Sequence, residues 1–421
     1  MGLSQNIKKM NHNVRLTFLF SVFQNFGAGI WSGNVLSAYI FFFSDESNTL
    51  LGWTSGVMGI AMTLVVLPAG YFADKFRRDI ILKIAAIIGL VSLCVLIFWN
   101  TLIGIFISLG LWGLYQGFTR PSLEAILADS TISGNRSRLY SLLHLVRQLS
   151  GSIGPFINVI LFLILGDTWD VSILKTVMII GMIITMISVV SMFFYNDFHS
   201  LGDISESISQ NANDNIKENT ENQKRNWIIF GILISSSLII GIGAGMTIKY
   251  FSIFFIEQYA LQPVSVQLIM GMTSVATGLA AIIAQRISKR KGRIQMIFVF
   301  ELVATICLFI IATYPNLWIL IPLFIIRGSL MNAGEPLSRS ILMDIVPKKH
   351  RGKVNSIQTI SWGLLWNASA VLGGYLVGNV RPYNFRLNFL VTASVYVVGI
   401  IPLIFLFRFV GLEVKKERLT N

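Results

Sequence analysis

Charged residues are scarce in this chain, and their scarcity excludes an ordinary soluble protein. They make up 13% of the 421 residues, whereas 54% are apolar and 12% are aromatic. A typical soluble domain carries roughly 25% charged residues. A soluble fold of this composition would lack the polar surface that water requires, so we expect an integral membrane protein.

Cysteine and histidine are also rare. Cys94 and Cys307 are the two cysteines, and both fall inside apolar runs, which excludes a disulfide framework and a metal cluster built on cysteine. Of the four histidines, only His144 is expected near the membrane interior. The chain also lacks a Walker loop, a dinucleotide fingerprint and a nucleophile elbow. We therefore predict a protein that is not an enzyme and that uses no cofactor and no metal.

Long apolar runs are what the chain has in abundance. A helix needs ~20 apolar residues to cross a hydrocarbon core of ~30 Å, and backbone groups in lipid must be hydrogen-bonded internally, so such runs are helices. We predict an all-α integral membrane fold of twelve transmembrane helices. The spans are expected near 16–43, 52–72, 80–98, 101–126, 140–165, 172–194, 227–257, 264–285, 294–313, 317–338, 355–378 and 387–409.

One long polar stretch divides the chain. Residues 196–226 are rich in Asn, Glu, Ser and Lys and cannot bury a core, which favours a flexible linker. We predict an N-terminal six-helix half over 1–195, a cytoplasmic linker over 196–226 and a C-terminal six-helix half over 227–421.

The distribution of basic residues predicts the orientation. They concentrate in the tails, the even-numbered connections and the linker, whereas the opposite side carries only Lys175, Arg381 and Arg386. Because basic loops stay in the cytoplasm, we expect a multi-pass protein of the cell membrane with both termini cytoplasmic. Basic loops that face anionic lipid also explain the net charge of +13 without a nucleic acid partner.

The two halves resemble each other internally. The segment from Arg120 to Asp129 aligns without gaps on the segment from Glu335 to Asp344, and the same register places Arg136 on Arg351. A nearly identical offset places Gly27 on Gly243. Duplicated six-helix halves bind their substrate near the midplane and work by rocking against each other.

The segment from Gly70 to Arg78 contains a glycine, then Asp74, then the basic pair Arg77 and Arg78. It resembles the signature that the major facilitator superfamily carries between its second and third spans, although Phe76 stands where the family usually has a small residue. A second match follows the tenth span. The resemblance implies a secondary transporter with two pseudo-symmetric halves. The signature residues that we expect to form a cytoplasmic gate, or alternatively only to fix loop geometry, are Gly70, Asp74, Arg77, Arg78, Asp129, Arg136, Asp344 and Arg351.

Charges inside the spans are functional candidates because each costs on the order of 2.5–3.5 kcal/mol at the bilayer centre. Near the cytoplasmic side, the fourth and tenth spans each carry a charge pair with i,i+4 spacing, and the signs are exchanged between aligned positions. These pairs either attract each other between the halves as a gate or are satisfied within their own halves. The predicted gate charges are Arg120, Glu124, His144, Arg147, Glu335 and Arg339.

Arg327 and Lys249 lie deeper. The embedded bases outnumber the embedded acids, and an anionic metabolite would offset the surplus. Alternatively, Lys249 snorkels outward or pairs with Glu257, and Arg327 bonds to amides such as Asn332. The candidate substrate-binding residues are Arg327, Lys249, Asn34, Trp31, Gln116, Tyr115, Tyr250, Asn332 and Trp362.

The function that we predict is secondary active transport of a small solute by a monomer in the bilayer, with the proton as a candidate coupling ion. Two alternatives stay open: a transport-inactive sensor or scaffold, and proton-coupled efflux of drugs or other neutral or cationic compounds. Gly151, Gly154 and Pro155 resemble a shortened antiporter signature. The arginine that such antiporters would carry at Gly113 is absent, which weakens the efflux alternative.

Overall fold

The computed structural model describes residues 11–75, 77–131, 133–201, 220–345 and 351–419. Within these ranges the chain forms helices and no strands. The helices are α1 (His12–Trp31), α2 (Asn34–Phe43), α3 (Asn48–Lys75), α4 (Arg78–Phe98), α5 (Leu102–Asp129), α6 (Ser133–Leu165), α7 (Val171–Ser191), α8 (Thr220–Ile248), α9 (Phe251–Tyr259), α10 (Pro263–Lys291), α11 (Arg293–Ile311), α12 (Leu317–Ala333), α13 (Glu335–Ile345), α14 (Arg351–Val377) and α15 (Phe385–Leu419).

The predicted all-α, twelve-span fold class is confirmed. Among the described residues, eleven helical segments are long and apolar enough to cross a membrane, and α14 contains a shorter apolar segment, Gly363–Val377, at the position of the eleventh span. Three spans are built from consecutive helices: α1 with α2, α8 with α9, and α12 with α13.

Large apolar side chains cover the outside of the helices. Leu64 is 70% exposed, and Ile103 and Phe405 are each 66% exposed. Contiguous apolar surface of this kind is rare on soluble monomers, whereas hydrocarbon tails solvate it. The exposure pattern therefore agrees with a membrane environment around the bundle.

The chain divides into two compact units. The described residues of Met1–Asp45 and Thr54–Lys217 form the first unit, and those of Glu46–Trp53 and Glu218–Asn421 form the second. Helix α3 thus begins in the second unit and continues in the first. The ends of the predicted linker are ordered, since Asp197–His199 forms a 3₁₀ turn and α8 already begins at Thr220.

In the first unit, α1 packs against α6 and α7, and α4 packs against α5. Glycines allow the closest approaches: a Cβ on Gly29 would lie 2.7 Å from the carbonyl oxygen of Gly151, and one on Gly181 would lie 2.8 Å from the Cβ of Trp31. Small residues at such crossings are the usual means of packing helices in lipid.

In the second unit, α8 packs against α14 and α15, α10 packs against α12, and α11 packs against α12 and α15. Asn388 on α15 is fully buried and joins three helices, because it accepts a hydrogen bond from Thr247 and donates to the carbonyls of Met246 and Gly373. Phe251 stacks on Phe389, which adds an aromatic contact to the same core.

The first span of each unit is interrupted at matching positions. Span one breaks at Ser32 and Gly33, where Gly33 has a φ of 71°. Span seven breaks between Ile248 and Phe251. The offset of 216 residues that relates Gly27 to Gly243 also relates Gly33 to Lys249. The internal repeat thus extends to the helix breaks.

Candidate functional site

The signature between the second and third spans forms a network of ion pairs inside the first unit. Arg77 donates to both carboxylate oxygens of Asp79, at 3.1 and 2.9 Å, and Lys83 donates to the same carboxylate at 3.2 Å. The hydrogen bonding to Asp79 raises the pKa of Arg77 above its usual range. Arg78 forms an ion pair with Asp129. The network therefore joins the start of α4 to the end of α5.

The segment that follows α7 closes onto this network. The backbone amide of Arg78 donates to Asp197 at 3.1 Å, and the guanidinium of Arg77 lies 4.3 Å from the ring centroid of Phe198. The amide of Leu201 donates to the carbonyl of Asp129 at 2.8 Å. Three separate segments of the first unit are thus held together at the signature.

For the other signature residues, the structure describes fewer contacts. Outside the backbone of its own helix, no described atom lies within 4 Å of a Cβ built on Gly70, so no close helix approach is seen at this glycine among the described residues. Asp79 was missed by the sequence reasoning, although an acidic residue in the first turn of a helix is a recognisable signal. The structure does not describe the side chains of five further candidates, which are Asp74, Arg136, Asp344, Arg351 and Trp362.

The embedded charges of the first unit surround Arg147. Its guanidinium donates to Glu124 at 3.4 Å and to the hydroxyl of Ser21 at 3.3 Å. Arg120 donates to Gln116 at 3.1 Å, and no carboxylate among the described residues lies within ion-pair distance of it. The cluster thus contains two guanidinium groups, and its carboxylate, Glu124, pairs with Arg147. His144 is exposed on the same helix as Arg147.

In the second unit, Arg339 pairs with Glu335 at 2.8 Å, one turn away on α13. Glu124 and Glu335 thus each have a partner within their own unit. Pairing within each half is what the alternative predicts. The attraction between the halves stays a prediction.

The aromatic candidates of the first unit are core residues. Trp31 and Tyr115 are each 1% exposed. The indole of Trp31 donates to Thr185 at 3.0 Å, and the hydroxyl of Tyr115 donates to Gln24 at 3.2 Å. Asn34 is partly buried and begins α2 directly after the helix break.

Lys249 occupies the break in span seven. Its side chain is partly buried, and among the described residues no carboxylate lies within ion-pair distance of its ammonium group. The predicted alternative of pairing with Glu257 is not realised, because Arg381 bonds Glu257 at 3.0 Å. The neighbouring Tyr250 is fully buried and donates to the carbonyl of Ala370 at 2.6 Å.

Arg381 joins two carboxylates at one end of the second unit. It pairs with Glu46 at 2.8 Å as well as with Glu257, and the hydrogen bond to Glu257 raises the pKa of Arg381. Glu46 lies two residues before α3. Arg381 therefore holds the start of α3 against the rest of the second unit. The sequence reasoning used Arg381 only as a marker of topology.

Arg327 lies inside the second unit and is 4% exposed. Its guanidinium lies 4.3 Å from the ring centroid of Phe251 and 3.5 Å from the hydroxyl of Tyr396. Asn332 is not its partner, because the amide of Asn332 donates to the carbonyl of Gly328 at 2.8 Å. This enclosure favours a role within the helix bundle over direct contact with a solute.

Comparisons with known proteins agree with this architecture. The model of the Major Facilitator Superfamily matches residues 17–256 and 233–420. No curated protein sequence matches the chain significantly.

Among solved structures, a variant of the nucleoside transporter NupG is 13% identical, with a TM-score of 0.70 over 94% of this chain and 100% of that chain. A bacterial homolog of the human lysosomal transporter Spinster is 14% identical, with a TM-score of 0.70 over 94% of this chain and 96% of that chain. A D-xylose–proton symporter is 16% identical, with a TM-score of 0.69 over 94% of this chain and 97% of that chain.

At identities this low, the likeness to solved structures shows the fold alone. The family model, by contrast, matches nearly the whole chain, and its two matches together include both compact units. The chain therefore belongs to the Major Facilitator Superfamily, as a multi-pass membrane transporter and not an enzyme.

Proposed function

We propose that this protein is a secondary active transporter that moves a small anionic solute across the cell membrane by alternating access, with both termini in the cytoplasm. The observation that carries the proposal is the matched interruption of spans one and seven, with Lys249 at the second break and no carboxylate partner for it among the described residues. Interrupted spans at corresponding positions of duplicated halves mark substrate sites in transporters of this kind.

The charge of the embedded residues supports an anion. Lys249 has no carboxylate partner among the described residues of the second unit, and Arg120 has none in the first. An unpaired cation inside a membrane protein is costly, and an anionic solute would offset that cost. We therefore assign the predicted anion contact to Lys249, and not to Arg327.

A transport-inactive sensor with the same fold would differ from a transporter in what it does with its ligand. A sensor must bind its ligand without carrying it, so it should show binding and no accumulation. We expect a monomer to be sufficient for transport, because the family model and the two compact units lie within one chain.

The test is uptake into proteoliposomes that contain the purified full chain. The probes are labelled monocarboxylates, dicarboxylates and phosphate monoesters, with neutral sugars and organic cations of similar size for comparison. We expect uptake of at least one anion, and uptake confined to neutral or cationic solutes would contradict the anionic substrate. Binding without uptake would favour the sensor.

One variant tests the contact. Lys249→Gln should raise the apparent KM for the transported anion by about tenfold, which corresponds to ~1.4 kcal/mol of lost interaction. The matched control is Lys289→Gln, which removes an exposed charge from the last turn of α10. An unchanged KM in Lys249→Gln would remove Lys249 from the proposed site.

A further inference from the structure

Helix α10 carries one continuous stripe of exposed apolar side chains. Its members follow the spacing i, i+4, i+7, i+11 and i+14, which keeps them on one face of a helix. Each is between 41% and 58% exposed, so the rest of the chain leaves much of this face open. In a bilayer, lipid acyl chains cover such a face. The stripe consists of Leu268, Met272, Val275, Leu279, Ile282 and Ile283.

Two arginines continue the stripe beyond its apolar end. Arg286 follows Leu268 by 18 residues, and Arg290 follows Met272 by 18 residues. Because 18 residues make about five full turns at 3.6 residues per turn, each arginine lies in line with a member of the stripe. Both side chains are exposed. The outward face of α10 is therefore apolar along most of its length and doubly charged at its end.

The two arginines lie at the depth of lipid headgroups. Residues 264–283 contain no charged side chain, and a helix of this length spans ~30 Å, which is the thickness of the hydrocarbon core. Arg286 and Arg290 lie ~4.5 and ~10.5 Å beyond Ile283 at 1.5 Å per residue. Helical side chains tilt towards the N-terminus, which leads both guanidinium groups back towards the membrane surface. They can thus reach a lipid phosphate while the stripe contacts the acyl chains.

In the first unit, the corresponding connection is neutralised by the protein itself. The connection between the second and third spans carries Arg77 and Arg78, which pair with Asp79 and Asp129. An external anion is therefore not needed to balance these two guanidinium groups.

The connection between the eighth and ninth spans lacks such carboxylates. Among the described residues of the second unit, ion pairs are formed by Arg339 and Arg381. Neither Arg286 nor Arg290 has a carboxylate partner within the part of the chain that the structure describes. The same kind of basic connection is thus balanced internally in one unit and left open to an external anion in the other.

Helix electrostatics accounts for only part of this basic end. A helix C-terminus favours cations in its last turn, and Lys289, Arg290 and Lys291 occupy the last turn of α10. Arg286 precedes that turn, so the helix dipole does not explain its place at the end of the stripe.

The spacing of the two arginines suits a phosphate group. Side chains one helical turn apart have Cβ atoms ~5–6 Å from each other, so Arg286 and Arg290 can contact the same phosphate. A guanidinium binds phosphate oxygens with two parallel hydrogen bonds. The headgroup of a zwitterionic lipid adds an ammonium group, which both guanidinium groups would repel.

We propose that Arg286 and Arg290 form a binding site for one anionic phospholipid. The two guanidinium groups hold the phosphodiester of the headgroup, and the acyl chains lie along the stripe of α10. The occupant is a membrane lipid and not free phosphate, because the apolar contact with the stripe stabilises only a ligand that has acyl chains.

Native mass spectrometry of the purified full chain in detergent tests this site, with phosphatidylglycerol and phosphatidylcholine of identical acyl chains as probes. We expect phosphatidylglycerol to bind the parent about tenfold more tightly than phosphatidylcholine, since each basic residue at the membrane surface contributes ~1 kcal/mol. Arg286→Gln and Arg290→Gln should each weaken phosphatidylglycerol binding about fivefold. Equal affinity of the parent for the two lipids would overturn the proposal.

The matched control is Lys291→Gln, which removes an exposed charge from the same helix end. Lys291 is rotated by ~140° from Arg286 about the helix axis, so this variant should change phosphatidylglycerol binding by less than about twofold. Arg286→Lys keeps the charge but loses the two parallel hydrogen bonds, and it should bind more weakly than the parent and more tightly than Arg286→Gln. If Lys291→Gln weakens binding as much as the two arginine variants, the charge of the helix end and not a defined site attracts the lipid.

Inorganic phosphate separates the lipid from a free anion. Added to the parent in the same detergent, it should displace phosphatidylglycerol only weakly, because it makes no contact with the stripe. Phosphate that binds as tightly as phosphatidylglycerol would contradict the lipid assignment. These measurements need no transported solute, so their outcome is independent of the proposed transport function.

Discussion

At the scale of single residues, the hydrogen-bond and ion-pair partners of a charged side chain determine its role. Glu124 and Arg147 form a pair, which leaves Arg120 with only an amide partner at Gln116. In the second unit Arg381 bonds Glu257 and so leaves Lys249 without that partner. Arg120 and Lys249 therefore have no carboxylate partner among the described residues. The proposed anion contact depends on this lack of a partner at Lys249.

Asp79 offers a test of stability at this scale. Its side chain is 1% exposed and accepts hydrogen bonds from Arg77 and Lys83. Asp79→Asn should lower the free energy of unfolding by about 1–2 kcal/mol, because charge-assisted bonds are lost but their cationic partners are 46% and 39% exposed and therefore screened. Thermal unfolding of the purified protein in detergent measures the loss.

The matched control for Asp79→Asn is Asp170→Asn. Asp170 is an exposed N-cap that accepts a hydrogen bond from the amide of Ser172 at 2.7 Å. Hydrogen bonding from the side chain and then the amide of Ser172 lowers the pKa of Asp170. Asparagine caps helices about as well as aspartate, so this variant should unfold within a degree or so of the parent. Equal losses in the two variants would mean that burial of Asp79 does not determine its contribution.

At the scale of helices, glycine positions set the distances between spans. A Cβ on Gly154 of α6 would collide with the backbone of Gly29 on α1, whereas no described atom outside its own helix backbone lies within 4 Å of a Cβ on Gly278 of α10. Both glycines are inside helices, so intrinsic helix preference affects them alike. A difference in stability between alanine variants at these two positions therefore reports the effect of packing.

Gly154→Ala should therefore destabilise the protein by about 1–3 kcal/mol, the usual range for overpacking a close contact. Gly278→Ala should be neutral or stabilising by up to ~1 kcal/mol, because alanine favours the helix. Thermal unfolding and the yield of monodisperse protein measure both effects. The packing argument fails if Gly154→Ala is as stable as Gly278→Ala.

At the scale of the whole molecule, the position of the loops relative to the membrane is the main expectation. The connection between α6 and α7 carries exposed Thr168, and the end of α10 carries exposed Lys289. The distribution of basic residues predicts that the first site is outside the cell and the second is in the cytoplasm.

Cysteine labelling tests this topology. After Cys94 and Cys307 are replaced by serine, Thr168→Cys should react with a membrane-impermeant maleimide in intact cells. Lys289→Cys should react only after the cells are permeabilised. Labelling of Lys289→Cys in intact cells would reverse the predicted orientation, and with it the assignment of the signature network to the cytoplasmic side.

The sequence by itself determined the fold class, the spans and the duplicated halves. Lipid forces apolar runs of this length to be helices, so composition and run length are enough, and the repeat even relates Gly33 to Lys249 at the two helix breaks. Side-chain pairing needed the tertiary structure, because a charge on one helix can reach partners on several others.

Thus the sequence singled out Arg327 by its depth, and only the packed helices place it against Phe251 and Tyr396. Asp79 gained its significance in the same way, since burial and the presence of partners are properties of the folded chain.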